Sequence, residues 1–267
     1  MKNINIDNGK AFDWGQTSAD YAKYRDIYPE IFYEKIIGMG LCTKGQRVLD
    51  IGTGTGVLPR NLYQYGADFT GADISENQIS QARRLSQEAG MDIPYLVSSA
   101  ETVDFPDACF DTVLACQCYV YFDKKILFPK IHHLLKPFGY FCILFMSWLP
   151  DESEIAANSE ALILKYNPAW SAHGMKRFTY DFPLEAQGLF EIADSFCYDA
   201  SLAFTRESWH GRMKACRGIG ASSLSEAEIA QWENEHQAYL QTMPDTFDIP
   251  HYVTVLNLRK LEKSKTI

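Results

Sequence analysis

The sequence predicts an α/β protein built on a doubly wound, mostly parallel sheet. Three observations carry that expectation. The run Val48–Ile51 is apolar apart from Asp50 and breaks at once into Gly52, Gly54 and Gly56, the tight strand-to-helix turn of nucleotide-binding sheets. A second apolar stretch from Ala67 ends in another acid, Asp73, 17 residues after Gly56. Strand-like runs then alternate with helical patterns as far as residue 150, and such alternation implies parallel strands joined by right-handed crossovers.

Taken in order, residues 12–40 read as helical, with Tyr21, Tyr24, Ile27 and Tyr28 forming an aromatic face. Strands are expected near 47–51, 67–73, 93–99, 110–118 and 140–148. Helical patterns lie between them near 57–65, 75–89 and 123–136. Pro59 is tolerated in the first turn of one, and Ser75-Glu76-Asn77-Gln78 is a capping box that starts the next. Past Pro150 the rhythm changes. A helix is expected over 154–166, then a loop-rich stretch over 167–188 carrying Trp170, Phe178, Tyr180 and Phe182. A strand near 196–204, helices near 205–216 and 225–241, and an alternating strand from Phe247 to Leu258 complete the chain. The expected organisation is a helical cap over 1–45, a core of alternating strands and helices over 46–150, and lid and substrate-side insertions over 151–267 that include two late strands.

Glycines at alternate positions remove side chains where a ligand must lie against the backbone. The helix that starts near Val57 points its positive end at the same place. A dinucleotide fingerprint needs glycines at the first, third and sixth positions. Here the sixth is Val57, and Asp50 would set a carboxylate beside an incoming phosphate. A ligand carrying an ammonium group tolerates that acid. Asp73 stands where an acid accepts hydrogen bonds from both hydroxyls of a ribose. Together these features suit a nucleoside with a cationic, amino-acid-like tail better than NAD. Ligands of such sheets bind beyond the carboxyl ends of the strands, where Gly52, Asp73, Ser99 and Cys116–Cys118 fall.

These residues resemble the class I S-adenosylmethionine-dependent methyltransferases, in particular the small-molecule branch that includes ubiquinone- and menaquinone-biosynthesis enzymes. The resemblance covers residues 45 to 150 well and the remainder loosely. Asp50 to Gly56 follow the family's first motif. Asp73 matches its ribose-binding acid and Ile74 the apolar residue that flanks the adenine. Ser99-Ala100-Glu101 stands where many relatives have Asp-Ala-Glu beside the adenine amino group, so Ser99 is a departure. Phe105 to Asp111 resembles the run into the fourth strand. Leu135-Lys136-Pro137-Phe138-Gly139 resembles the turn before the fifth, with Phe138 replacing a glycine. Ser18 to Pro29 resembles a Tyr/Arg-rich cap; there Arg25 would pair with the cofactor carboxylate beside Tyr21 or Tyr24, the plain alternative being a helix that only packs. The resemblance implies a Rossmann-like seven-stranded sheet with an antiparallel last pair, and S-adenosyl-L-methionine as cofactor. It implies a cofactor site of Tyr21, Arg25, Asp50, Gly52, Thr53, Gly54, Asp73, Ile74, Ser99, Ala100, Glu101, Cys116 and Gln117.

The chain has 267 residues, 46% hydrophobic and 22% charged, an ordinary globular composition. A net charge of −9 with scattered Lys and Arg repels phosphates and argues against a nucleic-acid substrate. The seven cysteines show no paired Cys-x-x-Cys spacing and read as reduced packing residues, with no metal site expected. Met1 to Lys10 is polar and lacks a signal core. The longest apolar stretch, Tyr140 to Leu149, is too short to span a bilayer, so a cytoplasmic protein is expected. Methyl transfer needs a general base only when the acceptor loses a proton as it attacks. His173 and His210 are the weak candidates, loop or helix-face packing being the plainer reading. His132 and His133 read as surface or packing residues and His236 as solvated. Trp209, Arg212 and Arg217 read as one helix, its charges at the surface or offered to an acidic acceptor. The expected function is methyl transfer to a small molecule; the alternative is a non-catalytic binder of an adenosine ligand.

Overall fold

A computed structural model describes residues 6–262 of the chain, so part of the polar start Met1–Lys10 lies outside the described residues. Seven strands make one sheet: β1 (Arg47–Ile51), β2 (Asp68–Asp73), β3 (Tyr95–Val97), β4 (Phe110–Cys116), β5 (Leu135–Trp148), β6 (Phe190–Thr205) and β7 (Thr246–Lys260). Their order is β3-β2-β1-β4-β5-β7-β6. β1 pairs in parallel with β2 and β4, β2 with β3, and β4 with β5. β6 and β7 run antiparallel. Leu261 N–H donates to Leu189 O at 2.9 Å, and further along Arg259 meets Glu191 and Asn257 meets Asp194. The registers Ile51↔Ala72 and Asp73↔Val97 bring the carboxyl ends of β1, β2 and β3 to one edge. The strand order reverses between β1 and β4, the switch point at which doubly wound sheets bind ligands.

The chain divides into two compact units. The first holds the described residues up to Ile27 together with Ser147–Arg177 and Asp199–Tyr252; the second holds Tyr28–Met146, Phe178–Tyr198 and the described residues from Val253 on. The expected boundaries at 45/46 and 150/151 are not where the units divide. One reason is a helix over Glu30–Gly38 that buries Phe32, Tyr33 and Ile36 within the second unit.

In that second unit the sheet's core consists of Leu49, Ile51, Ala72, Val113, Ala115, Phe141 and Ile143, all buried. The helices over Val57–Leu62, Glu76–Glu88 and Lys124–Leu134 follow β1, β2 and β4. Ser75 Oγ accepts from Gln78 N–H at 3.4 Å, the first half of the capping box read from the sequence. The expected helix over 12–40 is broken into a 3-10 turn at Trp14–Thr17 and helices at Ser18–Tyr24 and Glu30–Gly38. Pro29 holds an extended ψ of 158° at the break, and its ring disfavours a helical conformation at Tyr28 before it. β5 begins at Leu135, five residues before expectation, because the Leu135–Gly139 turn is a bulge within the strand: β4 pairs Phe110↔Leu135 and then Thr112↔Tyr140. Phe138 sits there at φ +60°, 62% exposed. It is a left-handed position that a glycine would fill without strain.

The first unit is helical. Helices over Ser18–Tyr24, Glu154–Tyr166, Arg206–Lys214 and Glu226–Gln241 carry it. Thr205 with Ser208 and Ser225 with Glu228 form capping boxes at the starts of the last two. Trp148, Trp170, Trp209 and Trp232 are buried here. A buried ion pair, Arg217 Nε to Asp7 Oδ2 at 2.6 Å, ties the segment before the first helix down, and Ser171 N–H donates to Asp7 Oδ1 at 2.7 Å.

Candidate functional site

Beyond β1 the chain turns through Gly52, Gly54 and Gly56 at φ +64°, +56° and +73°. Each lies in the left-handed region, which costs a residue with a Cβ roughly 1–2 kcal/mol. The alternate glycines are therefore a backbone requirement as well as an opening. Thr53 N–H donates to Ala72 O at 3.0 Å, stitching the turn to the end of β2. Thr53 Oγ1 donates to Asp50 Oδ2 at 2.6 Å. Asp50 is 2% exposed; burial pushes its carboxyl up to about 7 and the nearby Asp73 charge adds to that, while the Thr53 bond pulls the other way.

Asp73, the last residue of β2, is the hub. Its Oδ2 accepts from Gly54 N–H at 2.9 Å and its Oδ1 from Ser75 N–H at 2.8 Å. Burial raises its pKa and these amides hold it back. A carboxylate has about four acceptor sites, so the backbone amides of Gly54, Ser75 and Ile74 do not exhaust it. Ile74, next in the chain, is 56% exposed, and Val97, opposite Asp73 in register, is exposed as well. An apolar face thus adjoins the acid at the carboxyl edge. An acceptor-rich acid, a bare glycine backbone and an apolar shelf are the donor set an adenosine-bearing cofactor fits.

The rest of the predicted set lies along the same edge with more local duties. Ser99 Oγ pairs with Thr102 Oγ1 at 3.0 Å, Ala100 is buried, and Glu101 Oε1 accepts from Asp123 N–H at 3.0 Å, steadying the start of the helix after β4. Cys116 Sγ donates to Tyr28 Oη at 3.3 Å. Gln117 stands at φ +65°; its N–H donates to Leu144 O at 2.9 Å and its amide nitrogen to Met146 O at 2.6 Å, splicing the end of β4 to β5. Cys118 walls the turn: its Sγ donates to Ile51 O at 3.1 Å, and a Cβ on Gly52 would come within 2.7 Å of that sulfur. Tyr95 lies behind Gly56 and Gly71 and is absent from the sequence-derived set. Its only sequence signal is its place at the start of a strand beside β2.

Tyr21 and Arg25 belong to the first unit. There the Arg25 guanidinium lies 4.6 Å from the Tyr21 ring centroid and 5.8 Å from that of Trp14, and donates to Ala215 O at 3.4 Å. His173 is exposed in the loop after Trp170. His210 is buried instead, its Nδ1 2.9 Å from that of His236 and its ring stacked on Trp232. Burial lowers its pKa. Three expectations are corrected in this unit. His236 is not solvated but fully buried, bonded to Ser159 Oγ at 2.9 Å and held down to about 3 by desolvation. Arg212 and Arg217 are not surface charges: they are 5% and 6% exposed, and the helix ends at Lys214, before Arg217. Trp170 is a core residue against Gly218 rather than a lid aromatic. Among the described residues no group of three or more His, Cys, Asp or Glu could hold a metal, and no helix is long and apolar enough to cross a membrane.

Residues 49–143 match the protein family described as a methyltransferase domain. A ubiquinone biosynthesis O-methyltransferase of Dinoroseobacter shibae is 29% identical over 136 residues, which cover 51% of this chain and 54% of that protein. The enzyme of the same name from Ruegeria pomeroyi is 27% identical over 165 residues, 61% of this chain and 66% of that one. The chain thus spans between half and two thirds of the length of these relatives. In fold, the YcgJ protein of Bacillus subtilis matches with a TM-score of 0.54 at 19% identity, over 88% of this chain and 100% of that one. The segment that carries the glycine turn and Asp73 is thus similar to a methyltransferase domain.

Proposed function

We propose that the protein transfers the methyl group of S-adenosyl-L-methionine to a small-molecule acceptor by in-line displacement. The observation that carries this reading is Asp73, whose two oxygens are fixed by Gly54 and Ser75 with lone pairs to spare beside the exposed Ile74. The bound sulfonium supplies an activated methyl group. The work left to the chain is to hold the reacting groups in line and to exclude water. Asp73 receives the ribose hydroxyls, Ile74 flanks the adenine, and the backbone of Gly52, Thr53 and Gly54 lies along the ligand. Asp50, beneath the turn, favours its cationic end over the neutral product. Ser99, Ala100, Glu101, Cys116 and Gln117 line the same edge. His173 remains the base candidate open to solvent, since His210 is enclosed by Trp232 and His236.

A small-molecule acceptor is supported by the ubiquinone biosynthesis relatives and by the net charge of −9, which disfavours nucleic acid. Seven free cysteines support a reducing compartment, the cytoplasm. The test is calorimetry followed by transfer of labelled methyl across a metabolite panel. Micromolar binding of S-adenosylmethionine and its demethylated product, without comparable NAD binding, is the expected result. Tight NAD binding with none of either adenosyl ligand would overturn it.

A further inference from the structure

One side chain fills the space behind the cofactor turn. Tyr95 opens β3, and the parallel register sets it opposite Gly71 of β2. A Cβ added to Gly71 would stand 2.6 Å from Tyr95 Cδ1. One added to Gly56 would stand 2.4 Å from Tyr95 Oη and 2.9 Å from its Cζ. The ring therefore rests directly on the backbone of both glycines, one in the sheet and one in the turn. Its position is fixed from the far side. Oη lies 2.9 Å from Oγ of the buried Ser86, on the helix over Glu76–Glu88. From the same helix Arg83 Nη2 donates to Tyr95 O at 2.8 Å. Gly71 also abuts Thr53, whose Cγ2 would be 2.9 Å from an added Cβ, and Thr53 is the residue bonded to Asp50.

Glycines loosen a turn as readily as they permit it, because they lose the most conformational freedom on ordering. A turn of three left-handed glycines needs something outside itself to hold it. We propose that Tyr95 is a positioning residue for the cofactor: tethered to Ser86, its ring is the wedge that sets where Gly56 and Thr53 stand, and so the shape of the cradle. The proposal rests on the cofactor reading given above. Interiors are packed too closely to absorb a lost ring without rearrangement. A displacement of the turn of about 1 Å is enough to change function up to a hundredfold.

The test uses the full chain and reads the dissociation constants of S-adenosylmethionine and its demethylated product, beside the melting temperature. The variants are Tyr95→Phe, Tyr95→Ala, Gly71→Ala and the double variant Tyr95→Ala/Gly71→Ala, all measured well below their melting temperatures. Affinity should fall in the order wild type, Tyr95→Phe, Tyr95→Ala, the last on the order of tenfold or more. Gly71→Ala should weaken binding in the wild-type background, where its methyl meets the ring. In the Tyr95→Ala background the same methyl should cost less, its contact with the ring gone and only that with Thr53 left, a coupling that two independent structural losses would not show. A tyrosine that only stabilises the fold predicts lower melting temperatures with unchanged dissociation constants, and that result overturns the proposal. If Tyr95→Ala does not fold, Tyr95→Phe decides, since it removes only the tether to Ser86: unchanged affinity overturns the proposal, and weakened binding supports it. Wild-type protein that binds neither adenosyl ligand would overturn the cofactor reading as well.

Discussion

Asp73 serves the turn before it serves any ligand. Its carboxylate occupies the N–H groups of Gly54 and Ser75, so Asp73→Ala should leave two backbone donors short of a partner. Each such loss costs about 1–3 kcal/mol when the group is buried. Removing two charge-assisted bonds to ribose should weaken cofactor binding at least about tenfold. Calorimetry with the demethylated cofactor and a thermal melt separate the two effects, and an unchanged dissociation constant would mean that the ribose is held elsewhere. Asp50 makes a pH-dependent prediction. Its folded pKa, near 7, lies above the ordinary carboxylate value of 3.8. Between those values the unfolded chain gives up a proton that the folded chain keeps, so this residue's contribution to stability declines as pH rises from 3.8 to about 7. The buried imidazoles act in the opposite sense: His236, lowered to about 3, loses stability for the fold as pH falls below the ordinary 6.5. Comparing urea midpoints of wild type and Asp50→Asn at about pH 4 and about pH 8 isolates the carboxylate. Wild type should lose more stability than the variant over that rise, and parallel behaviour would show Asp50 to be charged throughout.

Trp170, at the scale of its loop, shows how position in sequence misleads about role. An aromatic residue in a loop-rich insertion reads as a lid over a substrate, yet this one is 1% exposed, packed beside Gly218 and His173. Trp170→Ala should therefore lower stability by roughly 3–5 kcal/mol, read in a denaturant titration, and a variant of native stability but reduced turnover would restore the lid reading. The alternating elements were legible because period and punctuation act locally. The helix expected over 154–166 is found at Glu154–Tyr166, and the strand expected over 47–51 at Arg47–Ile51. The glycine turn was legible because a left-handed backbone demands one residue type at each place, and Asp73 because it is an acid at the end of an apolar strand. What stayed hidden depends on partners far along the chain. Tyr95 matters through Gly56 and Gly71, His236 is dry because His210, Trp232 and Ser159 surround it, and Phe138 became part of β5 through its pairing with β4.

Neither of the molecule's two units is a continuous stretch of chain. The backbone passes from one to the other after Ile27, Met146, Arg177, Tyr198 and Tyr252, and β5, β6 and β7 each give residues to both. The segment that carries the family likeness, residues 49–143, ends inside β5, and β7 and β6, which complete the sheet beyond β5, come from the last part of the chain. A fragment cut at the end of the core, residues 46–150, would keep the turn, Asp73 and Tyr95 while leaving β5 without the neighbour it has in β7. A long apolar strand with a bare row of N–H and C=O groups is a template for joining another copy of itself. Such a fragment should scatter light and sediment as aggregates at concentrations where the whole chain stays monodisperse. The late strands would then act as a guard against self-association, built into the same sheet that presents the glycine turn.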